Sequence, residues 1–308
     1  MKDLRWIDRD PPGESLACAL QSLLAPRDFG AAYEALLVAL GLGTLVHFDR
    51  EQSPGARGEF ARDGRLLPAA DAFGVRLREL HPISAAQRLE SSAEFEQHFI
   101  DSYVPLIRRA FEVGQVALAW HGWPAPNKAR WGVLLPAAHA SEIRGVSRGG
   151  NVDPFTGPAH QVYIVEEIRA DAAPLAPDHI FDLAAVAMQA QWSGRWSGAE
   201  SQVTGRMAFE SLRDWLADSD DPAAAAVLVS IRERRRCLLT WLSDRLATSG
   251  LRRPAAHAWR DALAVCVDRL EIASMPGIRP RDLAAVVDQV RRGDEALLAA
   301  LAPDGRTA

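Results

Sequence analysis

The run SYVPLIRRAFEVGQVALAWHGWP, residues 102–124, decides how this chain is read. Tyr103, Leu106, Ile107, Ala110 and Phe111 recur at steps of three and four, as they would on one face of a helix. Gly114 can end that helix, and VALAW (116–120) follows as an unbroken apolar strand. Outward from there, RWGVLLP (130–136), EIRGVSRGG (142–150) and GPAHQVYIVEEI (157–168) each hold another short strand-like run. The spacing predicts strands at 116–120, 131–135, 143–146 and 161–165, separated by turns that carry Pro124, Pro126, Gly149, Gly150, Pro154, Gly157 and Pro158. Upstream, Ser91 and Glu94 stand at capping-box spacing, and Phe95 and Phe99 begin the apolar stripe of the same helix.

Earlier in the chain, Leu16, Ala19, Leu20, Leu23 and Leu24 give a buried stripe to a helix over 15–24, for which Ser15 is the expected N-cap. A second helix is expected over 28–40, a long loop over 47–64, a short helix over 66–73 and a strand over 75–80. Helices followed by an antiparallel sheet make an α+β domain. Composition changes at ADAAPLAPD (170–178), which divides the chain into domains 1–172 and 173–308. Beyond that linker, helical spacing recurs over 178–192, 196–216, 222–247, 254–273 and 280–301. Short connections between such helices predict a bundle, with Trp215, Trp241 and Leu263 on its buried stripes.

The order of helix and strands over 102–168 resembles the papain-like cysteine-peptidase fold. It is most similar to the bacteriocin leader-peptide peptidases and to the N-terminal domain of butirosin-biosynthesis-type acyltransferases, which also carry a helical segment afterwards. The resemblance implies a papain-like domain followed by an all-α bundle. It also implies a nucleophile at the start of the first core helix, a histidine opening a strand, and an Asn or Asp orienting that histidine. Laid on that pattern, ESLACALQSLL (14–24) puts Ser15 at the nucleophile position and Cys18 one turn further in. The base position falls on Arg130 and Trp131, neither of which is a base, and no Asp or Asn stands at 145–147.

These residues admit more than one reading. Ser15 serves as a cap or a nucleophile, and Cys18 as a small core residue or a reactive thiol. His121 follows VALAW and can face a cleft mouth as a base, whereas His160 reads as a turn residue. Trp120, Trp123 and Trp131, with Arg130, line a ligand cleft or else pack a core. The leading expectation is a catalytically degenerate binding or accessory protein of bacterial peptide or natural-product metabolism, which the resemblance alone implies. One alternative is a thiol-dependent acyltransferase or peptidase using Cys18 or Ser15 with His121. Another is a helical interaction module.

Charge and composition narrow the partners. A net charge of −5 over 308 residues argues against nucleic acid as the main partner. The run Arg232-Glu233-Arg234-Arg235-Arg236 reads as a solvated, ion-paired helix face. No apolar run approaches the roughly 20 residues that span a bilayer, and the opening MKDLRWIDRDPPGES lacks the apolar core of a signal peptide, so a cytoplasmic protein is expected. Cys18, Cys237 and Cys266 show no zinc-site spacing. SRGGN (147–151) lacks the lysine and helix of a phosphate loop, and no HExxH is present. Neither cofactor nor metal is therefore expected. The partner is an unidentified small molecule or peptide, with an acyl carrier protein implied for the acyltransferase alternative.

Overall fold

Five consecutive apolar residues in VALAW can be buried only if both faces of the strand are covered. In the computed structural model that strand lies inside a sheet with helices packed on it. The structure describes residues 4–7, 14–26, 32–49, 65–80, 94–128, 130–136, 142–169, 171–194, 202–219, 224–275 and 277–301. The chain divides into two compact units, one of 1–36 and 66–174, the other of 37–65 and 175–308. Residues 37–65, which the sequence places with the first unit, thus belong to the second. Helix α2 (Tyr33–Ala39) carries the chain across that division.

The first unit holds α1 (Ser15–Leu24), α3 (Leu66–Ala72) and an antiparallel sheet of strands β2 (Val75–Glu79), β3 (Val116–Trp120), β4 (Trp131–Leu135), β5 (Arg144–Val146), β6 (Val152–Pro154) and β7 (Gln161–Ile168). Their order is β2-β7-β3-β4-β5-β6, and every pairing is antiparallel, so the α+β class holds. Strands β3 and β4 are buried along their whole length, whereas VRLRE in edge strand β2 carries half-buried or exposed side chains along most of its length. One sheet face presents Ala117, Ala119, Leu134, Val162 and Ile164 to a core with Phe99, Tyr103, Ile107 and Ala110. The register places Leu118, Trp120, Trp131, Val133 and Tyr163 on the opposite face. Helix α1 packs against β4.

The helix expected as one piece from Ser91 onward is interrupted. It runs as α4 (Phe95–His98), a π-helical segment Phe99–Tyr103 and α5 (Val104–Glu112), while Ser91 lies outside the described residues. Pro105 supplies the reason: it has no N–H to give the preceding turn, and its ring crowds the carbonyl four residues back. The widened turn relieves that crowding and keeps the rings of Phe99 and Tyr103 stacked at 5.3 Å over the sheet.

The second unit contains α6 (Pro177–Trp192), α7 (Gly205–Asp218), α8 (Ala224–Ala247), α9 (Ala255–Leu270), a 3-10 turn (Glu271–Ser274) and α10 (Pro280–Leu301). A two-stranded antiparallel ribbon accompanies them, β1 (His47–Asp49) with β8 (Gln202–Thr204). Periodicity read β1 as loop and β8 as helix, because three residues are too few to show a period of two. Phe48 and Val203 join the helical core beside Phe209, Leu212, Leu270 and Val287. Trp241 and Leu263 are buried and Trp215 is half-buried against that core. The arginine run is not a uniformly solvated face: Arg236 is exposed, but Arg235 is fully buried and pairs with Asp294 across α8 and α10. Among the described residues, no helix is long and apolar enough to cross a membrane.

Candidate functional site

SLACALQSLL is rich in Ala and Leu, strong helix formers, and nearly every residue of α1 is buried. Its N-cap is Glu14, in extended conformation and without a side-chain cap bond, so Ser15 is the first helical residue and not the cap. The Ser15 hydroxyl is drawn elsewhere. Its Oγ accepts the backbone N–H of Trp131 at 2.7 Å, in a setting where Ser15 is only 2% exposed. A buried N–H at the opening of a strand needs an acceptor, and the helix start supplies one. The two sequence positions are 116 residues apart, yet the first residue of α1 and the first of β4 meet.

That bond is worth more than an average hydrogen bond, because its loss strands a buried donor. Ser15→Ala is expected to lower stability by about 1–3 kcal/mol. Urea denaturation followed by circular dichroism measures it, and a loss within error of zero would show that the Trp131 N–H finds another acceptor.

Cys18 lies one turn further in and is buried. Its N–H already bonds the Glu14 carbonyl, so it has passed beyond the unpaired N–H groups that mark a helix start. Its carbonyl accepts the Ser22 hydroxyl at 2.8 Å, and Ser22 Oγ accepts the Ile7 N–H at 3.0 Å. The thiol's turn of helix therefore anchors the N-terminal arm.

The three tryptophans do not form one cluster. Trp120 and Trp131 are register partners on the α1 face, and the Trp131 ring lies 6.0 Å from that of Tyr163. Trp123 occupies the other face, its ring edge-on to Phe155 at 5.1 Å. It lies flat over β4 and β5: a Cβ on Gly132 would stand 2.3 Å from the Trp123 ring, and one on Gly145 would stand 2.7 Å away. Only glycine lets the indole approach so closely. Arg130 is half-buried and contributes its backbone, since its carbonyl accepts the His121 N–H at 3.1 Å.

His121 has a left-handed backbone, φ 71°, a conformation that costs a non-glycine residue energy and recurs at functional sites. The next carbonyl, of Gly122, accepts the N–H groups of Thr156 and Gly157 and the Thr156 hydroxyl. His121 Nδ1 stands 3.3 Å from the Pro158 carbonyl. These bonds fasten the 121–122 turn to the 155–158 loop and stack the His121 and His160 rings at 4.1 Å. Trp120 and Phe95 each approach His160 with ring centroids at 5.4 Å. His160 is thus a member of an aromatic group and not an isolated turn residue.

Sequence reading passed over Gln161, the first residue of β7 and the register partner of Trp120. Its side chain is 3% exposed, and neither Oε1 nor Nε2 has a hydrogen-bond partner. The alternation of Gln161, Tyr163 and Val165 on one face was the available signal, with a polar residue where an apolar one is due. Among the described residues, no group of three or more His, Cys, Asp or Glu is placed to hold a metal ion. Compared with known proteins, the chain matches no family model, no curated protein and no solved structure.

Proposed function

We propose that the first unit is a papain-like domain whose catalytic set has been lost, serving as a binding or accessory protein in bacterial peptide or natural-product metabolism in the cytoplasm. The observation that carries this reading is the Ser15–Trp131 bond. The resemblance puts the nucleophile at Ser15 and the base at the opening of β4, and those two places adjoin. What meets there is a buried hydroxyl accepting a peptide N–H. A general base within hydrogen-bond reach is what activates a nucleophile, whereas a peptide N–H only donates. The preferred ligand class is a peptide or small molecule, with the bundle as an accessory element.

A second reading, a thiol-dependent acyltransferase, draws its support from the left-handed backbone of His121. In it the Cys18 thiolate takes an acyl group from a carrier thioester, releasing the carrier thiol, and passes it to an amine, with His121 moving the proton. The two readings part on thiol chemistry. A free cysteine ionises near pH 8.5, and a depressed value requires a cation or an exposed helix start. In the binding-protein reading, Cys18 labels slowly with iodoacetamide between pH 6 and 9 until the protein unfolds, as site-resolved mass spectrometry would record. Fast labelling with an apparent pKa well below that of free cysteine, abolished by His121→Ala, would instead establish the enzyme.

A further inference from the structure

On the sheet face that receives α1, strands β3 and β4 contribute only apolar side chains, and neighbouring β7 opens with the buried amide of Gln161. A buried side-chain amide brings two donors and an acceptor into a place where water no longer serves them, and each unmet group weakens the fold. Folded proteins satisfy nearly all such groups, so one left unmet calls for a reason. Gln161 stands opposite Trp120 in the register and two residues before Tyr163, whose ring faces Trp131 at 6.0 Å. An unpaired buried amide therefore shares a sheet face with Trp120 on the neighbouring strand and Tyr163 on its own, one residue inside a sheet end where His121, Arg130 and His160 are half-buried.

We propose that Gln161 is a recognition residue for a carboxamide, most naturally the peptide group of a peptide ligand. The inference rests on the binding role put forward above and names the chemistry it reads. Complementarity selects the class. A carboxylate offers only acceptors and would leave Oε1 unmet, and an ammonium offers only donors and would leave Nε2 unmet. An amide presents one of each in a plane, matching both atoms of Gln161 together, and its flat face suits contact with indole and phenol rings. A residue kept for binding at the expense of the fold has a diagnostic signature: removing it stabilises the protein and abolishes the function.

The experiment uses the full chain, labelled with ¹⁵N, and titrates acetamide, N-acetylglycinamide, acetate and ethylammonium separately. The Gln161 side-chain amide resonances are assigned by their loss in Gln161→Leu. The two amides should shift those resonances and the Trp120 indole N–H, while acetate and ethylammonium leave them in place. Gln161→Leu should raise Tm by about 2–4 °C and remove the shifts. If Gln161→Leu lowers Tm, the amide is a structural group held by internal water and the proposal is overturned. If N-acetylglycinamide binds but leaves the Gln161 resonances unmoved and binds Gln161→Leu equally well, the carboxamide site lies elsewhere, and only the broader binding role survives. If no probe binds, Gln161 is not a recognition residue for this chemistry.

Discussion

Asp294→Ala should cost about 3–5 kcal/mol, because it strands a buried charge. Arg235 on α8 is fully buried, and its two terminal nitrogens donate to the two carboxylate oxygens of Asp294 on α10, at 2.5 and 2.8 Å. A guanidinium cannot give up its proton to escape burial, so removing the carboxylate leaves a full charge inside the helical unit. With total stability typically about 5–15 kcal/mol, such a loss takes the variant close to unfolding. Should the variant fail to fold, the double replacement Arg235→Met with Asp294→Leu keeps the test open. It removes both charges at similar volume and should recover most of the loss. Urea midpoints from circular dichroism rank the three proteins, and a double variant no better than Asp294→Ala would show that the fork does more than neutralise itself. Cys266 lies in the same region, and burial pushes its thiol up against the opposing pull of Arg235. Its sulfur sits in the slot left by Gly293, where an added Cβ would come within 2.2 Å.

Trp123→Ala should be nearly as damaging, about 3–5 kcal/mol. The indole is 2% exposed and fills the space above Gly132 and Gly145 between the sheet and Phe155. Those glycines cannot move side chains into the void, because they have none, so the cavity stays open and its full cost is felt. The converse replacement tests the same contact from below. Gly132→Ala forces a methyl against the ring and should cost about 1–3 kcal/mol by overpacking. Combining Gly132→Ala with Trp123→Phe should lose less than the sum of the two single changes, since the smaller ring makes room for the methyl. Strict additivity in urea denaturation would place the strain elsewhere.

Much of the fold could be read from local pattern. Helix α1 and strands β3 and β4 fall where the sequence places them, because ten residues at helical spacing and five consecutive apolar ones are strong signals. Pro105 signals the π-helical segment in the sequence, but the apolar steps of three and four mask it. Strands β1, β6 and β8 span three residues each and carry no periodicity of their own; pairing with a partner makes them strands. The candidate site divides the same way. Ser15, Cys18, His121 and the tryptophans could be named from the sequence, but Gln161 looked like an ordinary strand residue.

By itself the sequence determined the α+β class, the positions of the longer elements and the types of group available, because these depend on residues near one another in the chain. The tertiary structure alone decided their partners. Ser15 became an acceptor for a strand N–H instead of a cap, Trp123 was separated from Trp120 and Trp131 by a sheet, and Arg235 turned inward from a run that looked solvated. Each of these outcomes is set by what must be satisfied or filled at a contact between distant segments. Residues 116 and 59 positions apart meet at Ser15–Trp131 and at Arg235–Asp294, and no local pattern encodes such a meeting.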